Sequence, residues 1–259
     1  MGPISIALFL KNLGVKICGG SYKFGYDKKL NLYFIVDKNL KHYFAHRIRG
    51  FSLYSNGLNS RSKNLYESYL LNLVSFQPND VVVDCGANYA DLWLSLKGKI
   101  KPKNYITFEP GVDEYRSIVS NASEAINNNI GLGNYDGKSK FYVNNGEADS
   151  CIIEPVRYSK VIEIDIITLD SYIDMNSIDT IKLLKLEAEG FEPEILEGSL
   201  KNLHKIEWIA LDGGWERGIN REETFSTLTN ILLKNGFEIK GIIFYPSTRA
   251  LYRRIIKKA

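Results

Sequence analysis

Val81-Val-Val-Asp84-Cys-Gly86-Ala-Asn88-Tyr-Ala90 begins as a short, wholly apolar, β-branched run and closes on an acid and a glycine. Such a run is expected of a parallel strand buried on both faces. Asp84 falls at its carboxyl end, and Gly86 lets the backbone turn where a side chain would obstruct a ligand. The next helix is expected to start near Asp91, beside a topological switch point of the kind at which open α/β sheets bind ligands. A carboxylate only accepts hydrogen bonds, so Asp84 suits a cationic or hydroxyl-rich ligand. A dinucleotide loop wants three glycines that bring a pyrophosphate against the helix N-terminus. Only Gly86 is present, which disfavours a nicotinamide-dependent oxidoreductase.

Similar strands are predicted at 104–109, 127–132, 180–186, 206–211 and 237–244, with helices over 93–96 and onward, 112–127, 193–201 and 222–235. This alternation predicts a doubly wound, mostly parallel α/β sheet. Residues 138–170 interrupt it with Lys140-Phe-Tyr-Val143 and Val161-Ile-Glu-Ile164, an inserted hairpin-like segment and a candidate wall for an acceptor pocket. Upstream, Leu65, Tyr69, Leu70 and Leu73 have helical spacing and precede the breaker Gln77-Pro-Asn-Asp80. Alternating runs in 21–60 (Leu30-Asn-Leu-Tyr-Phe-Ile-Val36, His42-Tyr-Phe-Ala45) read as a small β-rich extension. The expected organisation is therefore an N-terminal extension over 1–60 and a catalytic domain over 61–259. The start, Pro3-Ile-Ser-Ile-Ala-Leu-Phe-Leu10, is apolar but too short to span a bilayer, with no basic residue before it. Residues 1–20 read as a packed terminal segment in preference to a surface-lying helix or an oligomer contact.

Three further groups of residues carry chemistry. Tyr105-Ile-Thr-Phe-Glu-Pro110 places Glu109 at the end of the second strand, 25 residues after Asp84. That is close to the separation between a nucleotide loop and the acid that accepts from ribose hydroxyls. Pro110 stops the strand. Leu184-Lys-Leu-Glu-Ala-Glu-Gly190 brings Lys185, Glu187 and Glu189 to the crevice edge, and ionised groups are seldom placed on a buried strand without a partner or a task. Asp212-Gly-Gly-Trp215 lands on the same edge. There Trp215 either stacks on a sugar face or packs at a glycine turn, and Arg217 lies near enough in sequence to meet an anionic group.

Composition bounds the rest. An apolar fraction of 44% and a charged fraction of 24% are ordinary for a globular chain. A net charge of +3 argues against a dedicated nucleic-acid binder. Cys18, Cys85 and Cys151 form neither a disulfide framework nor a metal-ligand spacing, which fits a reducing, cytoplasmic compartment. His42, His46 and His204 are too dispersed to suggest a metal, and none is expected. The basic residues Lys38, Lys41, His46, Arg47 and Arg49, with Arg253, Arg254, Lys257 and Lys258, are either a solvated face or a guide to an anionic glycan, lipid-linked sugar or membrane surface.

Together these segments resemble the FkbM family of S-adenosylmethionine-dependent methyltransferases over roughly residues 60–240, about one domain's length. The resemblance rests on Val83-Asp-Cys-Gly-Ala-Asn88, Phe108-Glu-Pro110, Ile167-Thr-Leu-Asp-Ser-Tyr-Ile173 and Leu184-Lys-Leu-Glu-Ala-Glu-Gly-Phe-Glu192, with Leu196-Glu-Gly198 and Leu233-Lys-Asn-Gly-Phe237 adding to it. It implies a class I methyltransferase-like Rossmann fold, S-adenosyl-L-methionine as cofactor, and O-methylation of a sugar, glycan precursor or related metabolite. It also implies that Asp84, Gly86, Ala87 and Asn88 line the amino-acid end of the cofactor, that Glu109 and Pro110 lie at the ribose, and that Leu132, Gly133 and Asn134 lie near the adenine. Two positions depart from the family, with Ala90 in place of the usual Gly and Glu187 in place of Asp. Ala90 is tolerable if its φ is negative. Methyl transfer needs the acceptor oxygen held in line with the methyl and a base for its proton. Glu187 and Glu189 are the candidate bases, with Lys185 orienting one of them, and Asp212, Trp215 and Arg217 are the candidate acceptor contacts. A non-catalytic binding subunit with the same fold is the rival reading. A small-molecule or glycan acceptor, peripheral membrane contact and self-association are the expected partners.

Overall fold

The computed structural model describes residues 3–144 and 150–255. The chain opens with helix α1 (Ile4–Ile17), the meander β1 (Lys23–Asp27), β2 (Leu32–Asp37) and β3 (Leu40–Phe44), and helices α2 (Arg47–Leu53) and α3 (Gly57–Ser68). Then follow β4 (Val82–Cys85), α4 (Trp93–Leu96), β5 (Tyr105–Phe108), α5 (Val112–Asn121) and β6 (Ile126–Asn128). Strands β7 (Gly131–Gly133), β8 (Gly137–Val143) and β9 (Lys160–Thr168) intervene. The chain closes with α6 (Leu169–Met175), β10 (Ile181–Leu186), α7 (Glu192–Glu197), β11 (Ile206–Asp212), α8 (Phe225–Lys234), β12 (Phe237–Ile243) and β13 (Arg249–Arg254).

The central sheet has the order β12-β13-β11-β10-β4-β5-β6. Strands β11, β10, β4, β5 and β6 are parallel, and β13 alone runs against both neighbours. Successive residues of a strand point to opposite faces, and both faces are covered. Val82, Tyr105, Leu183 and Trp208 pack with Leu65, Tyr69, Trp93 and Ile118 on one side. Val83, Ile106, Leu184 and Ile209 pack with Leu169, Ile195 and Leu228 on the other. The result is the doubly wound α/β architecture expected from the sequence, with a small antiparallel sheet ahead of it. The chain walks outward from β4 through β5 to β6 and returns on the other side at β10, so the switch point lies between β4 and β10. Their register sets Lys185 beside Asp84 and Leu186 beside Cys85.

Several expectations are corrected. The strand predicted over 127–132 is broken at Asn129-Ile130: β6 stays in the central sheet, whereas β7 leaves it to pair in parallel with β9. Strand β9 also pairs antiparallel with β8, the expected insertion. Strand β12 is an edge strand with its middle exposed rather than a buried one, because β13, which the sequence reading missed, lies between it and β11. Arg253, read as part of a loose basic tail, sits in β13 over the Trp208 ring and near Glu207. Lys257 and Lys258 lie outside the described residues. The helix inferred near 65–73 runs instead over Gly57–Ser68 and stops where Leu70 adopts φ 57°. Residues 4–17 form a helix that buries only Val15 fully, so the terminal segment packs by one edge alone.

Candidate active site

A cleft opens at the carboxyl ends of β4, β5 and β10, with about 980 Å³ of space counted out to its open mouth. Its floor is Asp84-Cys-Gly-Ala-Asn88. Gly86 has φ 68°, and a Cβ there would lie 1.7 Å from the Glu187 carbonyl oxygen. Only glycine fits so close to the neighbouring strand. The Gly86 and Ala87 amides both donate to the Phe108 carbonyl, at 3.0 and 3.2 Å, which ties the loop to β5. Asn88 and Ala90 follow at φ 51° and 58°. The condition on which Ala90 seemed harmless therefore fails: an alanine occupies left-handed backbone where the family usually has glycine.

Glu109 is buried behind this loop and accepts from the Asn88 and Gly111 amides, each at 2.9 Å. Burial and the nearby Glu114 carboxylate push its pKa up, and the two backbone donors oppose the shift. Glu114 is itself bonded to His46 at 2.6 Å. The Asn88 side-chain oxygen is buried and has no hydrogen-bond partner. A buried acceptor left unmatched costs on the order of 1–3 kcal/mol unless a ligand donates to it.

Lys185 is the hub of the opposite wall. Its ammonium donates to the Cys85 and Gly86 carbonyls at 3.2 and 2.8 Å, and lies 3.1 Å from Asp84 and 3.0 Å from Glu187. Burial alone would lower its pKa, but Asp84 and Glu187 outweigh it and raise it. Burial pushes the Asp84 carboxyl up against the pull of Lys185 and the Tyr105 hydroxyl. Glu187 also meets Arg249 at 3.3 Å. Burial would raise its pKa, yet Lys185 and Arg249 prevail and hold it at about 2. Glu189, at φ 50°, borders both this cleft and a wider outer lobe.

That outer lobe is lined by Arg49, Arg157, Arg221 and Arg249, by Glu187, Glu189, Asp212 and Glu216, and by Trp215. Asp212 is buried and held by Arg249 at 2.8 Å and by the Ser247 hydroxyl, so it braces the wall. Trp215 is 67% exposed at the rim. Arg217 does not face the lobe: it forms a two-pronged pair with Glu194, at 2.9 and 2.6 Å, and donates to the Gly190 carbonyl. Its guanidinium is engaged with Glu194 and the Gly190 carbonyl, not turned to the lobe where the expected anionic group would sit. Gly133 and Asn134 also fall outside the cleft. Gly133 packs under Ile166 and Phe191, and Asn134 bonds Glu197, because the chain has left the central sheet. Leu132 does line the cleft, with Ile130, Gly131, Phe141, Cys151 and Ile152 as apolar neighbours.

The sequence reading missed Arg61, named Asp91 only as a helix start, and took Arg49 only as part of a basic cluster, yet all three line the cleft. Asp91 is buried and accepts from Tyr54 at 2.7 Å, from Arg61 at 2.6 Å and from His42 at 2.9 Å. Burial would raise its pKa, but Arg61 and His42 dominate and depress it. The helix-start position of Asp91 gave a hint, but nothing in the spacing of His42, Tyr54 and Arg61 shows that they meet it. The Thr168-Leu-Asp-Ser-Tyr172 signature proves architectural. The Thr168 hydroxyl accepts from the Ser171 amide and caps α6, while Asp170 holds the Lys201 and Asn202 amides.

The floor and walls suit S-adenosylmethionine. Glu109 retains lone pairs for a ribose diol, Asp84 and Glu187 offer negative charge to an ammonium or sulfonium, the Asn88 oxygen awaits a donor, and the apolar side suits an adenine. Residues 84–239 match the family described as the Methyltransferase FkbM domain. Among solved structures, the methyltransferase FkbM of Methylobacillus flagellatus KT is 21% identical, with 70% of this chain and 45% of that one covered and a TM-score of 0.48. The chain thus spans under half of that protein's length. Sp1610 of Streptococcus pneumoniae in complex with S-adenosyl-L-methionine is 19% identical over 76% of each chain, with a TM-score of 0.44. TYW2 of M. jannaschii in complex with AdoMet is 12% identical over 87% of each chain, with a TM-score of 0.42. No curated protein matches the sequence. With the match covering more than half of its residues, the chain belongs to the FkbM methyltransferase family.

Proposed function

We propose that the protein transfers a methyl group to a hydroxyl of a sugar, glycan precursor or related metabolite, with Glu189 as the base. The observation that carries this reading is the position of Glu189, on the boundary between the cofactor cleft and the outer lobe. S-adenosylmethionine, when bound, would supply an electrophilic methyl group, its S–CH3 bond breaking as S-adenosylhomocysteine leaves. The protein's part is to hold the acceptor oxygen in line and to take its proton onto Glu189 as the new O–C bond forms. Glu187 is poorly suited to that task, since a carboxylate held at about 2 by Lys185 and Arg249 has little affinity for a proton. Its role is to fix Lys185 and Arg249. Trp215 offers an exposed ring at the rim for the face of a sugar. The outer lobe balances four arginines against four carboxylates, unlike the basic track that a nucleic-acid backbone requires.

Labelled methyl transfer from S-adenosylmethionine into a glycan extract, run beside an RNA arm, tests the acceptor class. Label in the RNA and none in the glycan rejects it. With an accepted glycan, Glu189→Gln is expected to lower the rate at least about a hundredfold while calorimetry shows little change in cofactor affinity. Retention of full rate by Glu189→Gln removes the assignment.

A further inference from the structure

Helix α1 carries its apolar residues on the wrong side for a packed helix. Ile6, Phe9, Leu10, Leu13 and Ile17 are 54%, 67%, 59%, 43% and 76% exposed. At about 100° per residue these five fall within an arc of about 100°, one continuous stripe along the outward face. The inward face holds the helix by polar contacts as much as by packing. Asn12 exchanges two hydrogen bonds with the Phe24 backbone, at 2.9 and 2.8 Å, and Lys11 donates to the Phe51 carbonyl at 2.8 Å. Val15 alone is buried. A helix fastened by its polar side chains, with Phe and Leu turned to solvent, presents a surface built to meet something apolar.

Charge indicates what that is. Residues 1–60 contain nine Lys and Arg and only two Asp, a net charge of +7, whereas the other 199 residues contain 24 Lys and Arg against 28 Asp and Glu, a net charge of −4. The positive end of the molecule therefore coincides with the exposed apolar stripe. Lys16 lies on α1 itself, and Lys23, Lys28, Lys29, Lys38 and Lys41 stand exposed on the meander beside it. No helix among the described residues is long and apolar enough to cross a membrane. An apolar face some 14 residues long within a cationic surround matches the boundary of an anionic bilayer, where acyl chains receive the stripe and headgroups receive the lysines. A second copy of the chain would bring +7 against +7.

We propose that α1 docks this enzyme on an anionic lipid surface, with Ile6, Phe9, Leu10, Leu13 and Ile17 inserted at the interface. The docking itself does not depend on the acceptor reading. Co-sedimentation of the full chain with phosphatidylcholine vesicles, with and without 30% phosphatidylserine (about the anionic fraction that sets a surface potential), tests it. Binding is expected to the anionic vesicles, at least about tenfold above the neutral ones, and to weaken as salt is raised. The combined variant Phe9→Ser, Leu10→Ser, Leu13→Ser, with all three side chains already in solvent, is expected to abolish binding while cofactor affinity by calorimetry is unchanged. Lys23→Glu with Lys28→Glu should weaken it in the same way. No sedimentation with anionic vesicles at low salt overturns the proposal, as does binding indifferent to lipid charge or to the triple variant. A dimer in light scattering that the triple variant dissolves, without vesicle binding, assigns the stripe to a second copy and overturns it as well.

Discussion

Ala90 is the sharpest case of strain at a single residue. Its φ of 58° lies in the region where a Cβ crowds the following carbonyl, at a cost of roughly 1–2 kcal/mol. The side chain is fully buried, and the Ala90 amide and carbonyl both bond within the loop, so the backbone has no freedom to relax. Ala90→Gly is therefore expected to stabilise the protein by about 1 kcal/mol, partly offset by the entropy glycine adds to the unfolded chain. In urea, the midpoint should rise with an unchanged slope, whereas a lower midpoint would mean that the buried methyl outweighs the strain. The residue types at Asp84, Gly86 and Glu109 were legible in the sequence because an acid that closes a buried strand, or a glycine at a tight turn, has few roles to choose from. The sign of φ at Ala90 was not, since no glycine stands at Asn88 or Ala90 to mark the left-handed turn. Nor was the fate of Arg217, which depends on Glu194 standing a helix away.

The β10–α7 connection shows how an element can be built around a buried charge. Glu192 opens α7 and turns back, so that its carboxylate accepts from the Ala188 amide at 2.6 Å and from the Gly190 amide at 3.3 Å. Its clamp fixes the loop that carries Glu189. Burial pushes its pKa up to about 7, from an ordinary 4.5. A carboxyl raised in the folded state favours folding fully below its unfolded value and loses that contribution as pH climbs through its folded one. Stability is therefore expected to decline between about pH 4.5 and 7 from this group. Glu192→Gln, which keeps an acceptor and removes the titration, should flatten that decline, by on the order of 3 kcal/mol. Thermal melts of both proteins across the window check it, and parallel curves would exclude Glu192 as the source. From the sequence, Glu192 was legible only as an acid near a helix start. Helix limits were similarly blurred: α5 ends at Asn121, where Ala122 leaves helical backbone at φ −134°, and the Asn121 side chain bonds the Tyr43 backbone across 78 residues and the Tyr89 carbonyl, contacts that periodicity cannot register.

Across the whole molecule, the small N-terminal sheet and the central sheet are joined through the loop that follows β4. Tyr89 from that loop packs in the core of the first lobe with Phe24, Phe44 and Tyr54, and Asp91 gathers His42, Tyr54 and Arg61. The alternation of strands and helices made the larger sheet readable, since β4, β5, β10 and β11 are buried and mostly apolar. The junction was unreadable because its partners lie 30–49 residues from Asp91 and are polar residues with no period. Asp91→Asn would leave Arg61 without its carboxylate in a largely buried place, a loss typically of about 3–5 kcal/mol. Because Asp91 is depressed below its ordinary 3.8, its contribution is present above that value and disappears as pH falls through the folded-state value. The gap between wild type and Asp91→Asn in urea unfolding should then be widest at neutral pH and narrow below about 3.8. Arg61 and Asp91 also line the cleft at the ends of β4, β5 and β10, so the same variant is expected to weaken S-adenosylmethionine binding in calorimetry if that cleft is the cofactor site proposed above. A variant that unfolds more easily yet binds the cofactor as tightly as before would show the two lobes to be joined in stability alone.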